Sequence, residues 1–426
     1  MQILPSGRDR LELAPFRGVR YAPERVSGLA EVTSPPYDVI FRDSEAQLMA
    51  ADPHNVVRLI LPRPVPGHPG EEYQDAADSL RTWLDEGILI TDAEPALYAY
   101  EQRSADAVVQ RGLIGALRLL PPEAGVVLPH ENVAPGPVAG RLALMEATQA
   151  NLEPIFLLYD GSAAGSPGVT ARIIAGAIRA VPLVDADADD GLRHRLWAIT
   201  DPADLAAIAT DLASRQALIA DGHHRYAAYR QLQARCGGPG PWDHGLALLV
   251  DSTCYPPHIG AIHRVIPGLD VQHAAKLAAG AFEVRPLPPD EAPKAAVGLA
   301  GTAYILAGDQ QAYLLLDPDQ HQVRAAMPPG TSAEWQALPA AILQQLLITK
   351  LWDLADDDTT VHVVHHDAAA AVRAAGEADG TAVLCSPMSP ADVYAVAARG
   401  EKVPRKSTSF APKPRTGLVL RTFAQG

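Results

Sequence analysis

Short apolar runs closed by turn residues alternate along this chain with alanine-rich stretches, and that alternation leaves few architectures open. VVRLIL (56–61) reads as a buried strand, as do PIFLLYD (154–160), ALIAD (217–221) and GLALLVD (245–251). ALYAYEQ (96–102) and RGLIGALRLL (111–120) read as paired strands. Between them, 71–89 carries Tyr73, Ala77, Leu80 and Leu84 at helical spacing, and 201–214 reads as a second helix. AYILAG and AYLLLD predict a hairpin around 308–311, two helices follow at 339–354 and 368–376, and AVLCSP (382–387) is a last buried strand. The pattern predicts an α+β fold. A larger N-terminal catalytic part, 1–266, is built on a mixed sheet, and a smaller α/β part occupies 267–426.

Composition narrows the function classes. The 426 residues are 48% apolar but include only 6 Phe and 5 Trp, so the core is expected to be Ala, Val, Leu and Ile. Thirty-five basic against 50 acidic residues give a net charge of −15, which argues against a general nucleic-acid surface. Cys236, Cys254 and Cys385 form no CxxC pair, as suits a reducing compartment. The first residues lack a signal-peptide pattern, and no apolar run approaches the roughly 20 residues of a membrane span. A cytoplasmic protein without a membrane or nucleic-acid partner is expected, and a homodimer is compatible with the sequence.

The densest chemistry lies in ALIADGHHRYAAYRQ (217–231). Leu218, Ile219 and Ala220 run into Asp221-Gly222, and Tyr226, Tyr229 and Leu232 then recur on one helical face. A glycine at such a turn lets an anion approach the backbone, and the uncompensated N–H groups and dipole of the first helical turn favour phosphate. Arg225 can add a charge-assisted grip, and His223 and His224 are placed to move protons or to donate to phosphate oxygens. Asp221 is expected to cap the helix. A metal site is the weaker alternative, because adjacent histidines do not easily share one ion and no HExxH frame lies nearby.

The segment 222–228 resembles the G-x-x-R phosphate box of the ParB/sulfiredoxin superfamily, and DGHHR resembles that of its free-serine kinases. The wider set SPPYDVI (34–40), HNVVRLIL (54–61), LPHENV (128–133), NLEPIFLLYD (151–160), IADGHHRY (219–226) and RKSTSFAPKPRTGLVL (405–420) resembles the domain-of-unknown-function 1015 proteins. The resemblance implies a strand-turn-helix phosphate site of ParB/sulfiredoxin type. It also implies a kinase that transfers a phosphoryl group to the hydroxyl of free serine or a related hydroxy amino acid.

Other segments supply candidate partners for that chemistry. The prolines of SPPYDVI fix Tyr37 and Asp38 beyond them, so Asp38 is either a turn residue or a pre-organised base. Asn55 and Arg58 in DPHNVVRLIL are candidate substrate ligands, with Arg58 expected inside a strand. His130 and Glu131 lie on a loop before a helix. Glu131, alone or with Asp38, is a candidate Mg²⁺ ligand, and His130 a substrate contact. Near the C-terminus, Lys402, Lys406 and Lys413 gather half of the six lysines within twelve residues. This local reversal of charge suits an anion and is expected to pack back on the site. Lys406 is assigned the developing charge, and Ser407, Thr408 and Lys413 are assigned the phosphates. A Walker frame is absent, since Arg405 stands where glycine is needed. The expected cofactor is Mg²⁺ with ATP, ADP or pyrophosphate as donor. A ParB-like nucleotide switch without kinase activity is the first alternative, and a metal-dependent hydrolase the second.

Overall fold

The computed structural model describes residues 9–161, 167–299 and 301–425. The chain forms two compact units. Unit 1 comprises 1–128, 133–257 and 412–426; unit 2 comprises 129–132 and 258–411.

Unit 1 is organised on a nine-stranded sheet. In chain order its strands are β1 (Leu13–Ala14), β2 (Leu97–Arg103), β3 (Val108–Arg118), β4 (Val127–Leu128), β5 (Ile155–Tyr159), β6 (Val184–Asp187), β7 (Arg193–Ile199), β8 (Ala217–Asp221) and β9 (His244–Asp251). The spatial order is β4-β8-β5-β9-β3-β2-β7-β6, with β1 beside β3. β4–β8 and β5–β9 pair in parallel and the remaining ladders are antiparallel, so the sheet is mixed as expected. Strands β5 and β8 are buried along their whole length, which explains their unbroken apolar sequence. The helices of unit 1 include α1 (Arg42–Ala51), α2 (Glu71–Asp85), α3 (Pro135–Thr148), α4 (Pro202–Leu212) and α5 (His223–Cys236). α2 buries Ala76, Ala77, Leu80 and Trp83 and carries Glu71 and Glu72 in its first turn, where the helix dipole favours acids.

One local expectation is corrected here. Residues 56–61 are not a strand: Val57–Ile60 form one helical turn. The Asn55 side chain accepts from the Val57 amide at 2.9 Å, and Val56, Val57, Leu59 and Ile60 are all fully buried. An apolar run buried on every side has no period by which to distinguish strand from helix. Near the C-terminus Arg421–Thr422 form a short strand, and Leu420 exchanges two backbone bonds of 2.9 and 2.8 Å with Val19.

Unit 2 carries β10 (Ile262–Ile266), β11 (Glu283–Leu287), β12 (Tyr304–Ala307), β13 (Ala312–Leu316), β14 (His362–His365) and β15 (Thr381–Cys385), in the order β11-β13-β12-β15-β10-β14. β12 and β13 form the expected hairpin. Every pairing in this sheet is antiparallel, so unit 2 is α+β rather than the α/β expected. The helix expected at 339–354 begins as Pro339–Ile342 and continues as a π-helix over Leu343–Leu351.

The division differs from a cut at 266/267. Strand β10 already belongs to unit 2, and residues 412–426 return to unit 1. That return has a physical basis: Ser34 and Thr416 exchange backbone bonds of 3.1 and 2.8 Å, and the buried Arg421 reaches Asn151 and the carbonyls of His244 and Pro241.

Candidate functional site

Strand β8 delivers Asp221 and Gly222 to the start of α5. Its register against β5 shifts between Ile219 and Asp221, a bulge that re-aims the last residue of the strand. Gly222 then adopts φ 93°, ψ 28° as the N-cap of α5. A side chain there would be strained, and its Cβ would lie 2.9 Å from Ile155 Cγ2 and 3.2 Å from Arg225 Nε. The expected capping role of Asp221 is therefore corrected: the cap is Gly222, and no side chain caps the helix.

Asp221 instead joins an ion cluster. Its carboxylate accepts from Arg225 Nη2 at 2.6 Å and lies 2.5 Å from Lys413 Nζ. The same Lys413 ammonium donates to Asp38 at 2.8 Å. Arg225 is buried, with 3% of its surface exposed. Its Nη1 donates to the Pro154 carbonyl at 2.6 Å, and its Nε makes no hydrogen bond among the described residues. The guanidinium is thus committed to Asp221 and to the entrance of β5, and is not an open fork for a phosphate.

Tyr37 lies between the arginines, 4.2 Å from Arg141 Cζ and 5.8 Å from Arg225 Cζ. Its amide donates to the buried Glu153 at 3.0 Å, and Arg141 approaches Glu153 at 3.6 Å. Three carboxylates (Asp38, Glu153, Asp221) therefore face three cations (Arg141, Arg225, Lys413).

The electrostatics follow from burial and these partners. Burial acts to raise the Asp38 carboxyl, but the Lys413 ammonium and the Arg225 guanidinium outweigh it and hold the group below its ordinary range. Burial likewise acts to lower Lys413, and Asp221 and Asp38 reverse that, so its ammonium is held charged. Glu153 is raised by burial against the pull of both arginines, and burial pushes Tyr37 up to about 12.

Lys413 is fixed from behind by its own backbone. The Gln102 amide donates to the Lys413 carbonyl at 2.9 Å, and Gln110 donates to the Pro412 carbonyl at 3.3 Å and to Gln102 Oε1 at 2.8 Å. Arg415 is spent on Thr33, Asp189 and the Ala30 carbonyl. None of Arg141, Glu153, Gln102 or Gln110 was singled out from the sequence for the site. The available signal was a polar residue inside or beside an apolar strand run, as with Gln102, Gln110 and Glu153.

The other candidates distribute as follows. His223 is buried at the first turn of α5, and His224 Nε2 accepts from the Ala134 amide at 3.0 Å. Asn55 donates to the Glu31 and Thr33 carbonyls as well as holding Val57, so its amide serves the backbone. Arg58 lies in the helical turn, not in a strand, and reaches the Met49 carbonyl at 2.8 Å.

Within unit 2, the Thr408 hydroxyl donates to Glu131 at 2.6 Å, which leaves it to accept from His130 Nε2 at 2.9 Å. Ser407 donates to the Pro404 carbonyl at 2.6 Å. Lys406 is exposed and in left-handed backbone at φ 50°. Among the described residues no group of three His, Cys, Asp or Glu is arranged to hold a metal, so the hydrolase alternative has no ligand set there. No described helix is long and apolar enough to cross a membrane.

No curated protein matches this chain. Among solved structures, a free serine kinase variant in complex with ADP has a TM-score of 0.33 at 12% identity, over 67% of this chain and 84% of its own. A conserved hypothetical protein from Pyrococcus furiosus has 0.33 at 13%, over 71% and 94%. SbnI with C-terminal truncation from Staphylococcus aureus has 0.36 at 13%, over 70% and 82%. The family model for "Protein of unknown function (DUF1015)" matches residues 13–341, most of the chain, and the protein belongs to that family.

Proposed function

We propose that the unit 1 cluster holds the phosphates of a nucleotide or pyrophosphate donor, and that the protein is a small-molecule kinase acting on a hydroxyl. Free serine and related hydroxy amino acids are the first acceptors to test. The observation that carries this reading is the placement of Lys413. Its ammonium is shared by Asp38 and Asp221, and Asp221 ends the strand that leads through Gly222 into a helix whose first turn no side chain caps.

The residues fit Mg²⁺ by the chemistry of the donor set, since two carboxylates already share one cation and Mg²⁺ is commonly held by one or two carboxylates plus substrate phosphates. Asp38 and Asp221 would hold it, and it would supply neutralisation of the phosphates. The charge balance argues for that need. Three acids facing three bases leave no net positive charge for a polyphosphate, so a divalent cation has to accompany the donor.

Each residue then has a role that its environment allows. Gly222 lets phosphate oxygens approach the first-turn N–H groups of α5. Lys413 meets the phosphate charge, and Arg225 positions Asp221 and supports Tyr37. Asp38, held ionised, accepts a hydrogen bond from the acceptor hydroxyl and is a poor proton store. A loose phosphoryl-transfer transition state asks for orientation and charge neutralisation more than for a strong base. His224 braces the Ala134 amide, and His223 carries the proton-transfer assignment. Glu131 keeps its assignment as base or metal ligand, with His130, Ser407, Thr408 and Lys406 as substrate, phosphate and charge-stabilising candidates of unit 2.

Purified protein incubated with Mg²⁺, a donor (ATP, ADP or pyrophosphate) and a panel of hydroxy amino acids and amino alcohols is expected to yield a phosphorylated product by mass spectrometry, and none without the metal. Tight nucleotide binding with no product on any acceptor would favour the nucleotide switch. Absence of donor binding would overturn both readings.

A further inference from the structure

A cavity of about 590 Å³ lies in unit 1 between the segment that carries Asp38 and helix α1. Val39, Ile40 and Phe41, the three residues after Asp38, line it, with Leu48 and Ala51 opposite on α1. Phe41 is 78% exposed and Val39 38%, so large apolar side chains that would ordinarily be covered are exposed in the residues that follow the site carboxylate in sequence. The charged lining residues are Glu31 and Asp189, and among the described lining residues none is Lys or Arg. The Arg415 guanidinium beside Asp189 donates to it at 2.6 Å, to Thr33 Oγ1 at 2.6 Å and to the carbonyls of Ala30 and Thr33 at 3.2 Å. The Asn55 amide is turned to the backbone, so it forms wall rather than recognition group.

We propose that this cavity is the acceptor pocket, and that it takes a hydroxy amine with a hydrocarbon body, without an α-carboxylate. The proposal rests on the phosphoryl-transfer reading and, within its class of hydroxyl acceptors, puts amino alcohols ahead of the hydroxy amino acids named above. Three features carry it. The volume falls within the roughly 300–1,000 Å³ typical of pockets for larger organic ligands and is far more than free serine fills. The apolar wall of Val39, Ile40, Phe41 and Leu48 rewards a hydrocarbon body. The uncompensated charge at the rim is that of Glu31, since Asp189 is paired with Arg415, so an ammonium is matched while a carboxylate meets a like charge and no lining Lys or Arg. In the transfer, the acceptor oxygen forms the new P–O bond, the bond to the donor's leaving phosphate breaks with its electron pair going to that phosphate, and the hydroxyl proton leaves to a site base or water.

A matched set of probes separates the terms. Phenylalaninol carries the amine and hydroxyl, phenyllactate the carboxylate and hydroxyl, and phenylserine all three, on the same aromatic body. Calorimetric titration of the full-length protein is expected to rank phenylalaninol first, by roughly tenfold over either of the others. Glu31→Gln, an exposed position, is expected to weaken phenylalaninol several-fold, and Ala51→Trp, at the exposed end of α1, to abolish its binding by filling the cavity. Both variants should bind Mg²⁺–ADP as the parent does. Equal or tighter binding of phenyllactate or phenylserine, no binding of any probe, or phenylalaninol binding untouched by Ala51→Trp would each overturn the pocket. Phenylalaninol binding without nucleotide binding would support the pocket and sink the kinase reading. Nucleotide binding with no probe bound would do the reverse.

Discussion

In unit 1 the site cations Arg225 and Lys413 reach the carboxylates of Asp221 and Asp38, whereas in unit 2 the buried Arg264 and the half-buried Lys402 reach, among the described residues, backbone carbonyls alone. Arg264 donates to the Ile262 and Arg405 carbonyls at 3.4 and 3.1 Å, and Lys402 to the Pro129 carbonyl at 2.5 Å. Burial accordingly pulls both of these bases below their ordinary range, while Lys413 is held above its own by two acids. A cation shared by two carboxylates can be exchanged for another cation or turned toward an anion. A cation held by carbonyls has no such alternative and serves the fold. The contrast marks the unit 1 cluster, rather than unit 2's buried bases, as the place where a charged ligand changes the balance.

Substitution breaks the comparison most forcefully. Asp221→Ala strands the buried Arg225 and leaves Lys413 with one partner, and is expected to cost about 3–5 kcal/mol by denaturant unfolding. Arg264→Met removes a buried charge that has no carboxylate partner among the described residues, and should cost less than about 1.5 kcal/mol or even stabilise. Equal losses for the two would erase the distinction drawn between the units.

Acid provides a second, smaller test. Burial lowers His263 to about 4, helped by His366 and Arg264 and opposed by Asp367, and its Nδ1 accepts from the Cys385 amide at 3.1 Å. A histidine depressed in the folded state binds fewer protons there than in the unfolded chain. Its stabilisation is therefore present above about pH 6.5 and is lost at about 1.4 kcal/mol per unit as pH falls toward 4. Hydrogen exchange resolved by segment should show β10 and β15 losing protection through that window, and His263→Leu should flatten the loss. A pH-independent protection of those strands would contradict the assignment.

Much of this was legible in the sequence. The strand-turn-helix at 217–236, the strands at 97–118 and the hairpin at 304–316 follow from turn residues and period. The charge reversal near Lys413 pointed to a residue that does reach Asp221. What stayed hidden were long-range pairings and states of equal pattern. Nothing local distinguishes Val57–Ile60 as a helical turn, and nothing in NLEPIF announces that Glu153 is buried against Tyr37 and Arg141. Arg225 looked like an anion grip because its partner Asp221, four residues away on the other side of a glycine, was read as a cap. The division of the basic stretch between the two units depends on Ser34–Thr416 and Val19–Leu420 pairings some 380 to 400 residues apart in sequence.

The central claim is that Lys413 is the cation a donor phosphate meets. Isothermal titration of Mg²⁺–ADP into the parent protein and into Lys413→Met tests it directly, with unfolding measured alongside to show that both are folded. The account predicts a loss of affinity of at least about tenfold, the equivalent of about 1.4 kcal/mol, in the folded variant. Unchanged affinity in a folded Lys413→Met protein would contradict it.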